Sequence, residues 1–213
     1  MERTARSGAA GRPQGNRDTA DACLAEAERL FAAQGFAGTG MRDIAGRSGV
    51  TVATLAYHFG SKEKLYGRVL GRVAESIGAY LPEVETVAPE PAAVAEALAG
   101  FLDWALDHPD YAALLLRELM ENPERAPQAK RWYLAPVIRA YAAVLQRGQA
   151  AGRLADCDAE MLVFYVTGAI THFCAARPTL QRMLAMPDRA TLALRFRATL
   201  LQGLVAQLTP GAG

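Results

Sequence analysis

The chain has 213 residues, 51% of them hydrophobic, and its 23 basic and 22 acidic residues give a formal net charge of +1. This length suits one or two domains with a substantial core. Three scattered cysteines, Cys23, Cys157 and Cys174, exclude a disulfide scaffold. We find no uninterrupted apolar run of about 18 residues and no cleavable leader, so we expect a soluble, cytoplasmic protein with no membrane partner.

Alanine and leucine are abundant, and the sequence has few β-branched runs and no alternation of polar with apolar residues. These features predict an all-α protein. Residues 1–72 contain eleven Lys or Arg against seven Asp or Glu, and the remainder contains twelve against fifteen. A mildly basic N-terminal region suits a DNA-binding domain, although an asymmetry this small also arises by chance.

Residues 1–16 are rich in Gly, Ala and Arg without apolar periodicity, which predicts a disordered basic arm. Such an arm either reaches a DNA minor groove or is a solvated tail without a role. Over residues 18–34, apolar side chains recur at the spacing of an amphipathic helix, and Gly35 is expected to end that helix.

Residues 39–62, TGMRDIAGRSGVTVATLAYHFGSK, predict two short helices joined by a tight turn. Over residues 41–48 the apolar side chains share one helical face, and Gly49 provides the backbone freedom that a turn needs. Thr51 is a suitable N-cap for the second helix, in which Leu55 and Phe59 would be the buried anchors.

The outer face of this second helix is nearly free of charge. It carries small, aliphatic and aromatic side chains and is flanked by cationic residues on both sides. A charge-free exposed face with cations at its margins is typical of a helix that lies in a DNA major groove. The sequence therefore predicts a helix-turn-helix.

The segment IAGRSGVTVATLAYHFGSKEKLY resembles the N-terminal helix-turn-helix of the TetR family of one-component transcriptional regulators, and the resemblance covers about residues 20–70. Its end, YHFGSKEKL, is the most specific part. The resemblance implies a three-helix DNA-binding domain followed by a larger helical domain for effector binding and dimerisation. Two positions depart from the family pattern: Ala56 replaces a larger residue that can touch DNA, and Gly40 replaces a capping Ser or Thr.

On this basis we expect a basic arm (1–16), a helix-turn-helix domain (17–62) and an effector-binding and dimerisation domain (63–213). The second short helix would read double-stranded operator DNA, and residues at its margins would hold phosphates. The expected DNA-binding residues are Thr39, Arg42, Thr51, Val52, Ala53, Ala56, Tyr57, His58 and Lys62.

Six further helices are predicted in the rest of the chain. The first of them would link the two domains, as the resemblance implies, and Ser61 is a suitable N-cap for it. Pro136 is expected to kink or open the fourth helix of this set. The predicted ranges are 62–81, 91–108, 111–120 (capped by Asp110), 128–149, 156 or 158 to about 176, and 188–208.

The last two helices have more apolar surface than packing in one chain requires. This surplus indicates a subunit interface, and the resemblance implies a homodimer joined by a four-helix bundle. The expected interface residues are Phe164, Ile170, Phe196, Leu200 and Leu204.

Aromatic and polar side chains spread over several helices suit the walls of a small-molecule cavity, although the same residue types also fill ordinary cores. The TetR resemblance implies a sensor domain and so favours a cavity for a small-molecule effector. The expected lining residues are Phe101, Trp104, Tyr111, Glu118, Trp132, Tyr133, Tyr165, His172 and Phe173.

No catalytic constellation, metal-ligand spacing or cofactor motif is recognisable, so we expect neither an enzyme, nor a cofactor, nor a metal site. The expected function is a ligand-responsive transcriptional regulator, more specifically a repressor that a small molecule releases from its operator. Two alternatives stay open: a DNA-binding protein controlled by a protein partner or by thiol oxidation, and a helical enzyme.

Overall fold

A computed structural model describes residues 13–81, 83–121 and 135–211. Across these ranges the chain forms nine α-helices and no strand, which confirms the all-α prediction. The helices are α1 (Pro13–Gly38), α2 (Met41–Arg47), α3 (Val52–Phe59), α4 (Lys62–Gly78), α5 (Pro91–Asp107), α6 (Pro109–Glu121), α7 (Ala135–Ala150), α8 (Ala159–Met183) and α9 (Arg189–Leu208).

The first helix contains a kink where the sequence predicts its end. Gly35 has φ 73° and ψ 178°, a conformation that a residue without Cβ adopts at little cost. At the other end, α1 begins at Pro13, so residues 13–16 are helical and do not belong to a disordered arm. The predicted arm otherwise lies outside the described residues.

The chain divides into two compact units between Val69 and Leu70, so α4 contributes residues to both. This division falls later than the boundary expected after Lys62. In the N-terminal unit, α1, α2 and α3 pack against one another. Its core is apolar, and each fully buried side chain of this kind contributes about 1.5–3 kcal/mol. The core includes Leu30, Phe31, Ile44, Leu55, Leu65 and Val69.

In the C-terminal unit, α8 packs against α5, α6, α7 and α9, and α5 also packs along α9. Arg197 of α9 donates from Nη1 to both carboxylate oxygens of Asp103 at 2.8 and 3.0 Å, and from Nη2 to Glu96 at 2.6 Å. These groups are partly exposed, so the ion pairs add at most about 1 kcal/mol each. The fold of this unit therefore depends mainly on apolar burial.

One helix start differs from the sequence prediction. The N–H of Ala112 donates to the carbonyl of His108, so α6 begins before Asp110, which lies within the first turn and is not the cap. Proline is favoured at a first helical position, which explains a start at Pro109. The described part of α7 begins at Ala135 with Pro136 in its first turn, and the predicted start at residue 128 lies outside the described residues.

α8 is the central helix of the C-terminal unit. By length and composition alone it could cross a membrane, although the sequence prediction excluded any such span because it counted only uninterrupted apolar runs. The helix instead contacts four others, as a core helix of this composition does. It is capped by Asp158, whose carboxylate accepts from the N–H of Met161 at 3.1 Å, and it extends beyond residue 176 to Met183.

Candidate nucleic-acid interface and effector domain

The turn between α2 and α3 is held by local hydrogen bonds. Gly49 has φ 68°, and the N–H of Val50 donates to the carbonyl of Ala45 at 3.0 Å. At the start of α3, the hydroxyl of Thr51 accepts from the N–H of Thr54 at 3.0 Å, the N-cap predicted from the sequence. Since these bonds satisfy backbone groups at both sides of the turn, the direction of α3 is well defined.

The inner side of α3 is anchored in the core of the N-terminal unit. Leu55 is fully buried, as is Ile44 of α2. Below them, the rings of Phe31 and Phe36 each pack edge-on against Tyr66, with centroids 4.8 and 5.0 Å apart. Such edge-on aromatic pairs add stability beyond their buried area. The helix therefore lies on a rigid base.

The outer side of α3 is exposed and uncharged. Tyr57 is 80% exposed, Val52 and Ala53 are also exposed, and Ala56 and His58 are half-buried. The ring of Tyr57 lies edge-on to that of His58 at 5.4 Å. An exposed aromatic and aliphatic face that the chain leaves uncovered is suited to contact base edges and thymine methyl groups.

Cationic side chains lie on the helices that precede and follow α3. Arg42 and Arg47 of α2 are exposed and line an open groove of about 430 Å³ with residues of α1, and Asp43 lies in the same groove. Lys62, at the start of α4, places its ammonium 4.3 Å from the centroid of the Phe36 ring. That cation–π contact holds the ammonium in place. These groups are of the kind that binds DNA phosphates.

Thr39 is a correction to the predicted DNA-binding residues. Its side chain is 1% exposed, and its hydroxyl donates to the carbonyls of Gly35 at 2.8 Å and Leu30 at 3.2 Å. The residue therefore holds the chain to the kinked end of α1 and has no free surface for a phosphate. The cap of α2 uses the N–H of Gly40, which donates to the carboxylate of Asp43 at 3.2 Å.

In the C-terminal unit, three predicted effector residues lie along one row of aromatic rings. Phe101 and Trp104 are buried and stack at 5.0 Å, and the row continues to His108 at 6.2 Å and from there to Tyr111 at 5.7 Å. The indole N–H of Trp104 donates to the hydroxyl of Ser76 at 3.0 Å. His108, expected from the sequence only as the last residue of a predicted helix, is the member that the prediction missed.

The remaining predicted effector residues are not brought together. Tyr165 is 65% exposed and His172 is exposed, so both lie on the outside of α8 in this chain. Phe173 is buried but stacks on Phe196 of α9 at 4.0 Å, and Glu118 is half-buried on α6. Two others, Trp132 and Tyr133, lie outside the described residues.

The predicted dimer residues also divide into two groups. Ile170 and Leu204 are buried within the chain, at 0% and 2% exposure, so they cannot present surface to a second subunit. Phe196 and Leu200 are half-buried, and Phe164 is exposed. Exposed apolar residues that the prediction missed on α8 and α9 are Met161, Tyr165, Met183 and Leu194.

Neither a metal centre nor a reactive thiol is evident in the described parts of the chain. No group of three or more His, Cys, Asp or Glu side chains is placed to hold a metal ion there. Burial raises the pKa of the Cys174 thiol to about 11, and burial with two neighbouring aspartates raises the pKa of Cys157. Both thiols therefore remain protonated near neutral pH, and Cys23 is fully buried.

An uncharged outer helix on a rigid helical base, bordered by cations, defines a helix-turn-helix DNA-binding protein. Residues 24–69 match the family described as "Bacterial regulatory proteins, tetR family", and residues 91–205 match the "Tetracyclin repressor-like, C-terminal domain". The chain therefore belongs to the TetR family and is a DNA-binding transcriptional regulator of that family.

Individual relatives agree with this assignment. The chain is 27% identical over 160 residues to the HTH-type transcriptional regulator RutR of Escherichia coli (strain K12), across 75% of this chain and 76% of that protein. It is 34% identical over 110 residues to the HTH-type transcriptional repressor Rv3405c of Mycobacterium tuberculosis (strain ATCC 25618 / H37Rv), across 52% and 51% of the two chains. These relatives are named as regulators and not as enzymes.

Solved structures share the fold. The Streptomyces coelicolor protein SCO4942 superposes with a TM-score of 0.69 at 22% identity, covering 89% of this chain and 98% of that one. The hemolysin II transcriptional regulator HlyIIR gives 0.67 at 21% identity, covering 91% and 98%. At these identities the agreement concerns the fold alone.

Proposed function

We propose that the chain is a cytoplasmic homodimeric repressor whose α3 helices occupy two major-groove half-sites and which a small molecule releases from DNA. The exposed, uncharged face of Val52, Ala53 and Tyr57 on a rigid base is the observation that carries this proposal. An exposed face of aliphatic and aromatic side chains is not explained by contact with water alone. In a major groove its side chains meet bases, and the cations at its margins meet phosphates.

The residues divide by role. Tyr57, Val52 and Ala53 contact base edges, and Ala56, being small, permits close approach of α3 to the groove floor. Arg42, Thr51, His58 and Lys62 hold the phosphates on either side, where they set the register of the helix. These are the residues predicted from the sequence, without Thr39.

The dimer forms through the exposed apolar faces of α8 and α9. Met161, Phe164 and Tyr165 on α8 and Leu194 on α9 leave large apolar side chains in water. A second copy that covers them would bury well above about 1,200 Å² in total, as stable interfaces do. A twofold dimer presents its two reading helices to a palindromic operator with half-sites about 34–36 Å apart.

The effector acts through α4, whose residues belong to both units. In the C-terminal unit, its end is tied by the bond from Trp104 to Ser76, and the hydroxyl of Tyr80, which follows the helix, donates to Asp107 at 2.9 Å. A ligand that displaces the aromatic row would move this end of α4 and change the separation of the two reading helices. Control by thiol oxidation is less favoured, because the raised pKa values of Cys157 and Cys174 leave little thiolate.

Selection of operators from random double-stranded DNA by the full-length protein tests the proposal. The selected pool should contain an inverted repeat with half-sites centred about 10–10.5 base pairs apart, or a multiple of that spacing. A pool without dyad symmetry would exclude a symmetric dimer on DNA.

A melting scan of compound libraries on the same protein separates ligand control from control by a protein partner, because a true effector raises the melting temperature by mass action.

A further inference from the structure

The hydroxyl of Tyr141 on α7 is a polar group that the fold leaves without a partner. The residue is 1% exposed, and its hydroxyl has no hydrogen bond within the described part of the chain. The carboxylate of Asp103 on α5 lies close enough to influence it, but that carboxylate already accepts two hydrogen bonds from Arg197. Burying a hydroxyl without a partner is unfavourable, and folded proteins rarely retain one.

Other buried polar groups of this unit are satisfied or partly satisfied. The indole N–H of Trp104 donates to Ser76, and the hydroxyl of Thr171 donates to the carbonyl of Thr167 at 2.9 Å. Arg147 has a buried Nε without a partner, but its Nη2 donates to the carbonyl of Val87. Among these described groups, only the Tyr141 side chain makes no hydrogen bond at all.

We propose that the Tyr141 hydroxyl donates a hydrogen bond to the effector, and that the effector is an uncharged, largely apolar molecule with an acceptor such as a carbonyl or ether oxygen. This inference rests on the proposed function, because it requires a ligand in the C-terminal unit. The hydroxyl is then unpaired only in the unliganded protein, and effector binding removes the penalty of its burial.

We infer that the effector is uncharged from the charged groups in the described interior of the C-terminal unit. Thr171 is the only buried polar residue there besides the aromatic side chains. The charge that acts on Tyr141 is the carboxylate of Asp103 and not the partly buried guanidinium of Arg147, so no described cation beside Tyr141 could neutralise an anionic ligand. The carboxylate of Asp103 also disfavours negative charge near Tyr141. Burial and this carboxylate raise the pKa of Tyr141, so the hydroxyl remains a donor at every physiological pH. An ion buried without a partner would be strongly destabilised.

Two fluorescent probes test the class of ligand and the residue together. Prodan is uncharged and has one carbonyl acceptor, and its emission shifts to shorter wavelength when that carbonyl loses a hydrogen bond. The second probe, 1-anilinonaphthalene-8-sulfonate, is an anion. The full-length wild-type protein should bind Prodan more tightly than the anion. Tyr141→Phe should weaken Prodan binding about three- to tenfold, the range of one net hydrogen bond, and shift its emission to shorter wavelength.

Tyr66→Phe is the matched control, because it removes a tyrosine hydroxyl from the N-terminal unit and should leave Prodan binding unchanged. The melting temperature gives an independent readout. Without ligand, Tyr141→Phe should melt about 2–4 °C higher than the wild type, because an unsatisfied hydroxyl has been removed. A lower melting temperature would mean that the hydroxyl already has a partner in the resting protein and would overturn the inference.

The remaining outcomes are also decisive. Equal Prodan affinity and emission in the wild type and Tyr141→Phe would overturn the assigned hydrogen bond. A wild-type protein that binds neither probe, or prefers the anion, would overturn the uncharged class. In each of these cases an intact palindromic operator would leave the proposed regulatory function standing, whereas a failure to select any operator would reject that function and not the chemistry of Tyr141.

Discussion

The two units differ in how directly their sequences determine what they bind. In the N-terminal unit, the capping bond of Thr51 and the turn at Gly49 involve residues within about two turns of one another. In the C-terminal unit, the aromatic row and the exposed faces of α8 and α9 depend on the packing of helices far apart in the chain. The proposed DNA-binding surface is therefore largely locally encoded, and the proposed effector and dimer surfaces are products of tertiary packing.

The strongest test of this contrast introduces a positive charge into the proposed dimer surface of the C-terminal unit. Leu194 is 68% exposed, so Leu194→Arg should leave the subunit folded but place a cation in the proposed interface. We expect a monomer in sedimentation and a loss of operator binding by more than about 100-fold, because two half-sites are no longer held together.

Met120→Arg is the control for this variant, since it places the same charge on an exposed methionine of α6. It should remain dimeric and bind DNA normally. An unsubstituted chain that sediments as a monomer at micromolar concentration would remove the interface from the proposal.

The second test removes the most exposed aromatic side chain of the reading helix. Tyr57→Ala should abolish preference for the operator over random DNA, a loss of at least about 2–3 kcal/mol, with helical content and melting temperature unchanged. Fluorescence anisotropy with operator and scrambled duplexes measures the preference. Near-native operator affinity in this variant would contradict the placement of α3 in the groove.

The third test concerns stability in the same helix and separates its two faces. Leu55 is fully buried, so Leu55→Ala should lower the free energy of unfolding by about 2–5 kcal/mol. Chemical denaturation monitored by circular dichroism measures this change. If Tyr57→Ala proved the more destabilising of the two, the inner and outer faces of α3 would have been assigned in reverse.

The fourth test is the charge at the start of α4. Lys62→Met keeps apolar packing against Phe36 but removes the ammonium, so the slope of log affinity against log salt should become shallower by about one unit on all sequences alike. Lys62→Arg should retain the slope. An unchanged slope in the methionine variant would show that this ammonium does not contact a phosphate.

The smallest expected effect is that of oxidation. Since the pKa of Cys174 is raised to about 11, its thiolate fraction is small at neutral pH and increases with pH. Alkylation of this thiol should accelerate about tenfold per pH unit between pH 7 and 10, and mild peroxide treatment at pH 7 should leave operator affinity unchanged. A peroxide-sensitive wild type with a resistant Cys157→Ser/Cys174→Ser variant would favour the thiol switch instead.

The sequence alone determined the helical class, the turn at Gly49, the cap at Thr51 and the outer face of α3. Each of these features depends on backbone preferences or on helical spacing over a few residues, and both can be recognised in the amino-acid sequence. The residues around the turn also carry the family resemblance. The fold of the helix-turn-helix could therefore be predicted nearly in full, whereas the burial of Thr39 could not.

Only the tertiary structure decided which side of each longer helix packs against the other helices of the same chain. Helical periodicity places Ile170 and Tyr165 on apolar surface alike, but neighbouring helices bury the first and leave the second 65% exposed. The same holds for Thr39, whose hydroxyl is used by the kinked end of α1, and for Tyr141, whose hydroxyl is sealed inside the C-terminal unit. Periodicity specifies faces relative to one helix axis, and the partner of each face is set by long-range packing.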